Sequence, residues 1–419
     1  MATTSATRIQ SLDVIRGIAV MGIFSVNVVG MAMIQQAYFY PPDFGFEHGY
    51  DKLMWALNSI FVDGRFRALF SILFGASTVV VCERAVAAGR DSWQVHCPRM
   101  IVLLLFGLAH FYLLWWGDIL ANYAMVGMVA WFFWRLQPRW LILVAVLALG
   151  LMYGRGIAEA VPRIQMVEKV QAGGGTAEER SEVAKMLAPD PKLAERIAED
   201  KANHASIPAH IRASTEAPEA WRPFTGVLGY GLETLGLMLL GMAALKSGFL
   251  TGAWRRRSYV LVAVACLGTD LGLHAVGAVK SLQSDFAPLT YFPWTQVYVS
   301  PFHPVGAMGY AALIILLMGR SAAWDRIAAV GRTAFTNYLG ATLIGTLVFF
   351  DTFGGLYAEV SRGQAWLLVP VVWAIMLVWS KWWLERYRFG PFEWAWRSLS
   401  RMEWQPMRKA PPTVDAVPA

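Results

Sequence analysis

Cysteine, charge and the short motifs of soluble enzymes are what this sequence has least of. Its three cysteines, Cys82, Cys97 and Cys266, form an odd and scattered set, which excludes a disulfide framework and a cysteine-based metal site. Only 16% of the 419 residues are charged, too few for the solvated surface of a water-soluble protein of this size. There is no Walker A sequence, no G-x-G-x-x-G following a strand, no H-E-x-x-H and no G-x-S-x-G. Chemistry built on phosphate loops, dinucleotide folds, zinc-binding helices or nucleophile elbows is thereby excluded. The run "AGGGT" at 172–176 lies in a polar stretch and reads as a flexible turn. No internal repeat is visible.

What the chain has in abundance is apolar length. Hydrophobic residues make up 56% and the mean hydropathy is +0.44. Runs of about 17 to 25 mostly apolar residues, enough to cross roughly 30 Å of hydrocarbon, recur along most of it. Ten are expected, at 16–34, 54–82, 100–117, 119–135, 139–157, 226–246, 257–279, 299–318, 332–350 and 365–384. The fold expected is an all-α polytopic membrane protein, its helices arranged around a polar central pore. The 19 tryptophans cluster near the ends of these runs, as at Trp115 and Trp116 or Trp382 and Trp383, where amphipathic rings favour the headgroup layer. The first run carries Arg16 and Asn27 and is followed by "MIQQAYFY", so it reads as a retained helix rather than a cleaved leader.

Positive charge sets the orientation. One set of alternate connections and the two termini hold 21 of the 36 Lys and Arg, whereas the opposite short loops hold Lys52, Arg65, Arg67, Lys280 and Arg362. Both termini are therefore expected in the cytoplasm. The net charge of +7 follows from this bias and from attraction to anionic lipid, and no nucleic-acid-reading module accompanies it. A polar insertion at 158–222 between the fifth and sixth spans reads as a small extracytoplasmic helical cap. Thr176 with Glu179 forms a capping box there, and Asp190–Pro191 resembles a second helix start. The transmembrane domain is expected to span 1–402, and the Pro-rich segment 403–419 reads as a disordered cytoplasmic tail.

Polar side chains inside spans cost about 2.5 to 3.5 kcal/mol each, so each needs a partner, a cavity or a function. Asp13, Arg16 and Asn27 share one face of the first span, because eleven residues at 100° each return to within about 20°. Asp13 and Arg16 suit a helix cap and its ion pair, while Asn27 lies deeper and must bond to another helix or to something in a cavity. "RMIVLLLFGLAHFYLLWWGDILANYAMVG" places His110 near mid-membrane and Asp118 at the start of the next helix. An interhelical hydrogen bond and an N-cap would account for them. An embedded histidine oriented by a carboxylate is also a general base. Asp270 and His274, four apart in the seventh span, stack on one face and can pair. Arg65, Arg67, Glu233 and Asn337 are further embedded polar groups, and together they imply a polar interior.

Six blocks in order, "RIQSLDVIRGIAVMGIFSVN", "GRFRALFSILFG", "GLAHFYLLWWGDILANYAMVG", "GLETLGLMLLGMAALKSGFL", "GRTAFTNYL" and "ERYRFGPFEWAWRSLS", resemble the YeiB-like family of bacterial inner-membrane proteins. The opening pattern, with Asp13, Arg16, Gly17, Ala19 and Asn27, is also similar to that of lysosomal heparan-alpha-glucosaminide N-acetyltransferase. That resemblance implies a place among transmembrane acyltransferases, which take an acyl group from cytosolic acyl-CoA and deliver it to an acceptor across the membrane. In the acetyltransferase the catalytic histidine follows the first span. The corresponding region here offers only His48, in "PDFGFEHGYDK".

The function expected is acyl transfer at a bacterial inner membrane, with acyl-CoA, most simply acetyl-CoA, as co-substrate and no metal. Arg16, Arg84 and Arg332 would meet CoA phosphates, Asn27 would lie along the acyl path, and Asp13, Arg65, Glu233, Asp270 and His274 would line the polar interior. His110 would act as base with Asp118 orienting it, and Arg67 and Asn337 would stabilise an oxyanion. The partners expected are membrane lipids, acyl-CoA and an acceptor bearing a hydroxyl or amine, and the sequence is compatible with a homo-oligomer. The alternative is a proton-coupled solute transporter working through Asp270 and His274.

Overall fold

The structure, a computed structural model, describes residues 9–188, 190–216 and 218–409. Among them eight helical segments are long and apolar enough to cross a bilayer: Gln10–Ala32, Gly49–Ala87, Ser92–Leu113, Pro138–Gln171, Glu219–Lys246, Arg256–Gln283, Pro288–Leu317 and Arg362–Arg386. Two shorter apolar helices, Leu120–Phe133 and Ala334–Phe349, occupy the remaining expected positions. All ten expected runs fall on helices, and there is no strand among the described residues. The protein is an all-α multi-pass membrane protein. At 1.5 Å per residue the two shorter helices reach only about 20 to 25 Å, so neither spans roughly 30 Å of hydrocarbon alone.

The helices that position the site are numbered in chain order: α1 Gln10–Ala32, α2 Gly49–Phe61, α3 Arg65–Ala87, α4 Ser92–Leu113, α5 Leu120–Ala130 and α6 Pro138–Gln171. The cap contributes α7 Ala177–Leu187, α8 Leu193–His204 and α9 Ile207–Thr215. Then follow α10 Arg222–Lys246, α11 Arg256–Gln283, α12 His303–Leu317, α13 Ala322–Arg332, α14 Ala334–Phe349, α15 Leu368–Arg386 and α16 Pro391–Arg401.

Helix α1 is central and mostly buried, whereas α6 and α11 present most of their apolar side chains outward, as lipid-facing helices do. Glycines set the closest crossings, because helices in lipid gain from backbone approach rather than from leaving water. A methyl group at Gly75 would overlap the carbonyl oxygen of Met238, and one at Gly241 that of Ile72, so α3 and α10 meet backbone to backbone. Gly331 and Gly17 do the same for α13 and α1. The second expected span is two helices broken at Asp63–Gly64, where Gly64 has φ +73° and its Cα faces the His303 ring.

The cap is held to the membrane helices by polar ties. Ser214 donates to the Tyr112 carbonyl at 3.0 Å, Tyr112 to the Ala220 carbonyl at 2.6 Å, and the Gln35 amide to Asp200 at 2.8 Å. The Thr176–Glu179 capping box forms as the sequence predicts. Asp190 instead receives the Lys192 amide in a turn, and α8 starts two residues beyond Pro191. Among its described residues the cap has three short α-helices, where the sequence marks two helix starts. Of the expected tail, 403–409 is tied down: Arg388 donates its amide to Met407, and Lys409 to Arg386. Residues 410–419 lie outside the described residues.

Candidate active site

A cavity of about 600 Å³ opens toward the cap end of the helices. Its walls come from α3, the α4–α5 turn, α6, α10, α11 and the start of α12. They include Arg67, Asp118, Tyr153, Glu233, His274 and His303, with Tyr38, Trp116 and Tyr291 supplying apolar surface. A smaller cavity of about 220 Å³ lies beneath the cap and shares Phe111, Trp116 and Arg222 with it.

At the α4–α5 turn the chain reverses through Trp115–Trp116–Gly117, with Trp115 donating its indole N–H to the Gly30 carbonyl of α1 at 3.0 Å. This turn sets Asp118 against His110. Asp118 Oδ1 is 2.9 Å from His110 Nδ1, and its Oδ2 accepts the Ala121 amide at 2.8 Å, capping α5. The far nitrogen, Nε2, is 3.0 Å from Thr342 Oγ1 on α14. A carboxylate accepting at both oxygens places the proton on Nδ1 and the lone pair on Nε2. One residue thus both receives the Ala121 amide at the start of α5 and pairs with the imidazole.

Arg67 and Glu233 form a two-pronged pair, and Tyr153 donates to Glu233 at 2.9 Å. Arg65 is fully buried, bonded through Nε to Asp270 and through Nη1 to the carbonyls of Ser59 and Asp63. The pairing expected within α11 therefore changes. Asp270 takes Arg65 as its main partner, and His274 Nδ1 donates to the Asp270 backbone oxygen at 2.8 Å with the carboxylate at 3.3 Å. His274 stacks on His303 at 5.4 Å between ring centroids.

Other expected residues lie elsewhere. Arg16 bonds Asp13 at 3.4 Å and Ser77 at 2.9 Å at the opposite end of the bundle, so its guanidinium is already committed to protein. Asn27 is half-buried. Asn337 is not an oxyanion donor: its amide nitrogen bonds Val330, Thr333 and Ser380, and its oxygen receives the Trp379 indole, a network joining α13, α14 and α15. His48 caps α2 in a capping box with Asp51 and keeps a half-exposed ring away from the cavity. Near Asp13 a cleft of about 360 Å³ is lined by Arg332, Lys381 and Lys409 against Asp13, Asp325 and Glu385. Among the described residues no cluster of three or more His, Cys, Asp or Glu is placed to hold a metal.

Sequence reading did not single out Thr342 or His303. A signal existed for the first, since Tyr338, Thr342 and Thr346 recur every fourth residue on one face of α14. His303 sits between Phe302 and Pro304 at a helix start, where nothing in the sequence separates it from a loop histidine.

Residues 244–403 match the family described as "Protein of unknown function (DUF418)". The chain is 29% identical to the uncharacterised protein YxaH of Bacillus subtilis (strain 168), over 97% of this chain and 98% of that protein. It is also 29% identical to the uncharacterised protein YeiB of Escherichia coli (strain K12), over 93% and 95%. An uncharacterised 39.9 kDa protein from the amylase 3′ region of Bacillus acidopullulyticus is 22% identical over 94% of each. No solved structure matches the chain. The similarity to YxaH and YeiB thus runs nearly end to end along a chain whose helices make it a multi-pass membrane protein.

Proposed function

We propose that this protein is a bacterial inner-membrane acyltransferase that moves an acyl group, acetyl in the simplest case, from acyl-CoA to a hydroxyl or amine acceptor. The observation that carries it is the His110–Asp118 pair: Asp118 lines the large cavity, and the buried imidazole behind it has the tautomer a base needs. By the positive-charge bias the cap end is extracytoplasmic and both termini are cytoplasmic. The acceptor then enters beneath the cap, and acyl-CoA approaches from the opposite face. There Arg332, Lys381 and Lys409 line the cleft and can meet CoA phosphates. Arg16 supports that mouth through Asp13 and Ser77 rather than by reaching phosphate itself.

The test is purified protein in liposomes given labelled acetyl-CoA and a panel of hydroxyl and amine acceptors. His110→Ala should leave acetyl-CoA binding unchanged and lower transfer by ~10²- to 10⁴-fold. A folded variant with undiminished transfer would refute the assignment of the base.

A second reading, proton-coupled solute transport, is favoured by one observation. Arg65 Nη2, His274 Nε2 and His303 Nδ1 are buried beside the cavity without hydrogen-bond partners. Uptake of solute driven by a pH gradient in the same liposomes, without acyl transfer, would select it.

A further inference from the structure

At rest the lone pair of His110 faces a residue of this chain rather than an acceptor. With the Nδ1 proton committed to Asp118, its basic nitrogen faces a single hydroxyl, that of Thr342 at 3.0 Å. All three side chains are buried, Thr342 to 1% and His110 to 2% exposure. Hydroxyl, imidazole and carboxylate thus stand in line, the order in which a base activates a nucleophile that a third group orients.

Packing alone does not account for Thr342. Serine and threonine in an apolar helix ordinarily satisfy themselves on the carbonyl four residues back. Ser71, Ser77, Thr234 and Thr333 do so here at 2.7 to 3.1 Å. For Thr342 the equivalent distance, to the Tyr338 carbonyl, is 3.4 Å, and the imidazole is the closer partner. One turn earlier on the same face, Tyr338 holds its ring 5.2 Å from that of His110. The Tyr338 hydroxyl is buried with the Ile119 amide against its oxygen and no acceptor for its proton. A buried, unsatisfied donor beside a nucleophile and base is what a developing oxyanion needs.

We propose that Thr342 is the acyl-accepting nucleophile and that transfer proceeds through an ester on its Oγ1, formed and broken by His110 with Tyr338 as oxyanion donor. This rests on the acyl-transfer reading and makes it a two-step reaction. In the first step Thr342 Oγ1 bonds to the thioester carbonyl carbon while His110 Nε2 takes the hydroxyl proton. The imidazolium is held against Asp118, and the carbonyl oxygen, now anionic, accepts from Tyr338. The C–S bond then breaks, and coenzyme A leaves as the thiol with the proton from His110. In the second step the acceptor hydroxyl or amine attacks the threonyl ester carbonyl and gives its proton to His110. Thr342 Oγ1 leaves and takes that proton back. Nothing is oxidised or reduced, and the two substrates never need to occupy the site together.

The experiment uses the full chain in liposomes with labelled acetyl-CoA and no acceptor. Two results are expected: one acetyl group per protein on the peptide containing Thr342, found by mass spectrometry, and exchange of label between acetyl-CoA and free coenzyme A. Thr342→Val keeps the shape and removes the hydroxyl, and it should abolish the ester and lower exchange and transfer by about 10³-fold or more. Thr342→Ser should restore all three, which separates lost chemistry from lost folding. Transfer that proceeds in the unaltered protein with neither ester nor exchange would overturn the proposal. So would Thr342→Val transferring at near-normal rate while His110→Ala does not, and either result leaves the acyl-transfer reading standing. An unaltered protein that neither binds nor consumes acetyl-CoA would overturn both.

Discussion

Arg67 and Glu233, 166 positions apart in sequence, close a two-pronged ion pair in the cavity wall, with both nitrogen–oxygen distances at 3.0 Å. The pair is lopsided. The Arg67 side chain keeps 36% of its surface exposed and Glu233 only 7%, so the two halves are not equivalent when one is removed.

Deleting the glutamate leaves a guanidinium that can turn toward water in the cavity. Deleting the arginine strands a buried carboxylate on the hydroxyl of Tyr153. Arg67→Ala should therefore lower stability by ~3 kcal/mol, and Glu233→Ala by about 1 kcal/mol. The double variant should be milder than Arg67→Ala alone, because no charge is then left buried. Unfolding in a single detergent measures all three, and equal losses for the two single variants would show that both ends are equally desolvated.

Asp118 has two separable jobs, and Asp118→Asn parts them. The amide oxygen can still accept the Ala121 N–H, so α5 keeps its cap. Its NH₂ group, however, donates toward His110 Nδ1, which moves the imidazole proton to Nε2 and removes the lone pair facing Thr342. Stability should change by less than about 1 kcal/mol, while acetyl transfer should fall by ~10²- to 10⁴-fold. The two numbers come from thermal unfolding and labelled acetyl-CoA turnover on the same preparation. Unchanged turnover would reduce Asp118 to a helix cap.

Apolar run length made the helices legible because lipid leaves a backbone few alternatives. The capping box at Thr176 was legible because its partners lie three residues apart. His110 and Asp118 could be paired from sequence since a single turn separates them. Contacts between distant segments were not. Asp270 and His274 satisfy the i, i+4 rule, yet Arg65 on α3 takes the carboxylate, since a buried guanidinium needs an anion more than a neutral imidazole does. Asn337 looked like a free polar group for the same reason, its partners being side chains and carbonyls brought in by α13 and α15. Thr342 was hidden by its ordinary surroundings, and only the approach of α4 gives it a role.

Glycines at helix crossings should respond to substitution differently from glycines in open space. Gly75 and Gly241 face backbone across α3 and α10, and Gly331 faces the Asp13 carbonyl of α1. Alanine at any of them forces whole helices apart and should cost ~1–3 kcal/mol or prevent assembly. Gly150, Gly154 and Gly229 have open space where a methyl would lie. Alanine there should be neutral or stabilising by up to about 1 kcal/mol, from helix propensity. Yield of monodisperse protein and its unfolding temperature decide the matter, and a neutral Gly75→Ala would mean that α3 and α10 do not cross where these contacts place them.

The cap should loosen as pH falls through the range in which a histidine ordinarily titrates. His210 on α9 is buried, and burial first, with the neighbouring His204 of α8 second, lowers its pKa to about 4. It donates from Nε2 to the Phe111 carbonyl at the end of α4, and the Phe350 ring packs beside it, so it is held neutral at the joint between cap and membrane helices. The unfolded chain takes up a proton near the ordinary value of 6.5, and the folded cap does so only near 4. Stability is therefore fully present above about pH 6.5 and is lost as pH falls toward 4, by ~1–3 kcal/mol. Asp200, the carboxylate facing this group, does not cancel the effect. Burial alone would raise its pKa, but hydrogen bonding and attraction from His204, with bonds from Gln35 and Tyr357, hold it below the usual carboxylate value, so it stays ionised through the same window. Limited proteolysis at pH 7 and pH 5 should show cleavage within 158–222 rising at the lower pH while the membrane helices stay protected. His210→Gln keeps a donor for Phe111 without a titrating ring and should flatten that rise. A cap equally sensitive to pH in both proteins would place the titrating group elsewhere.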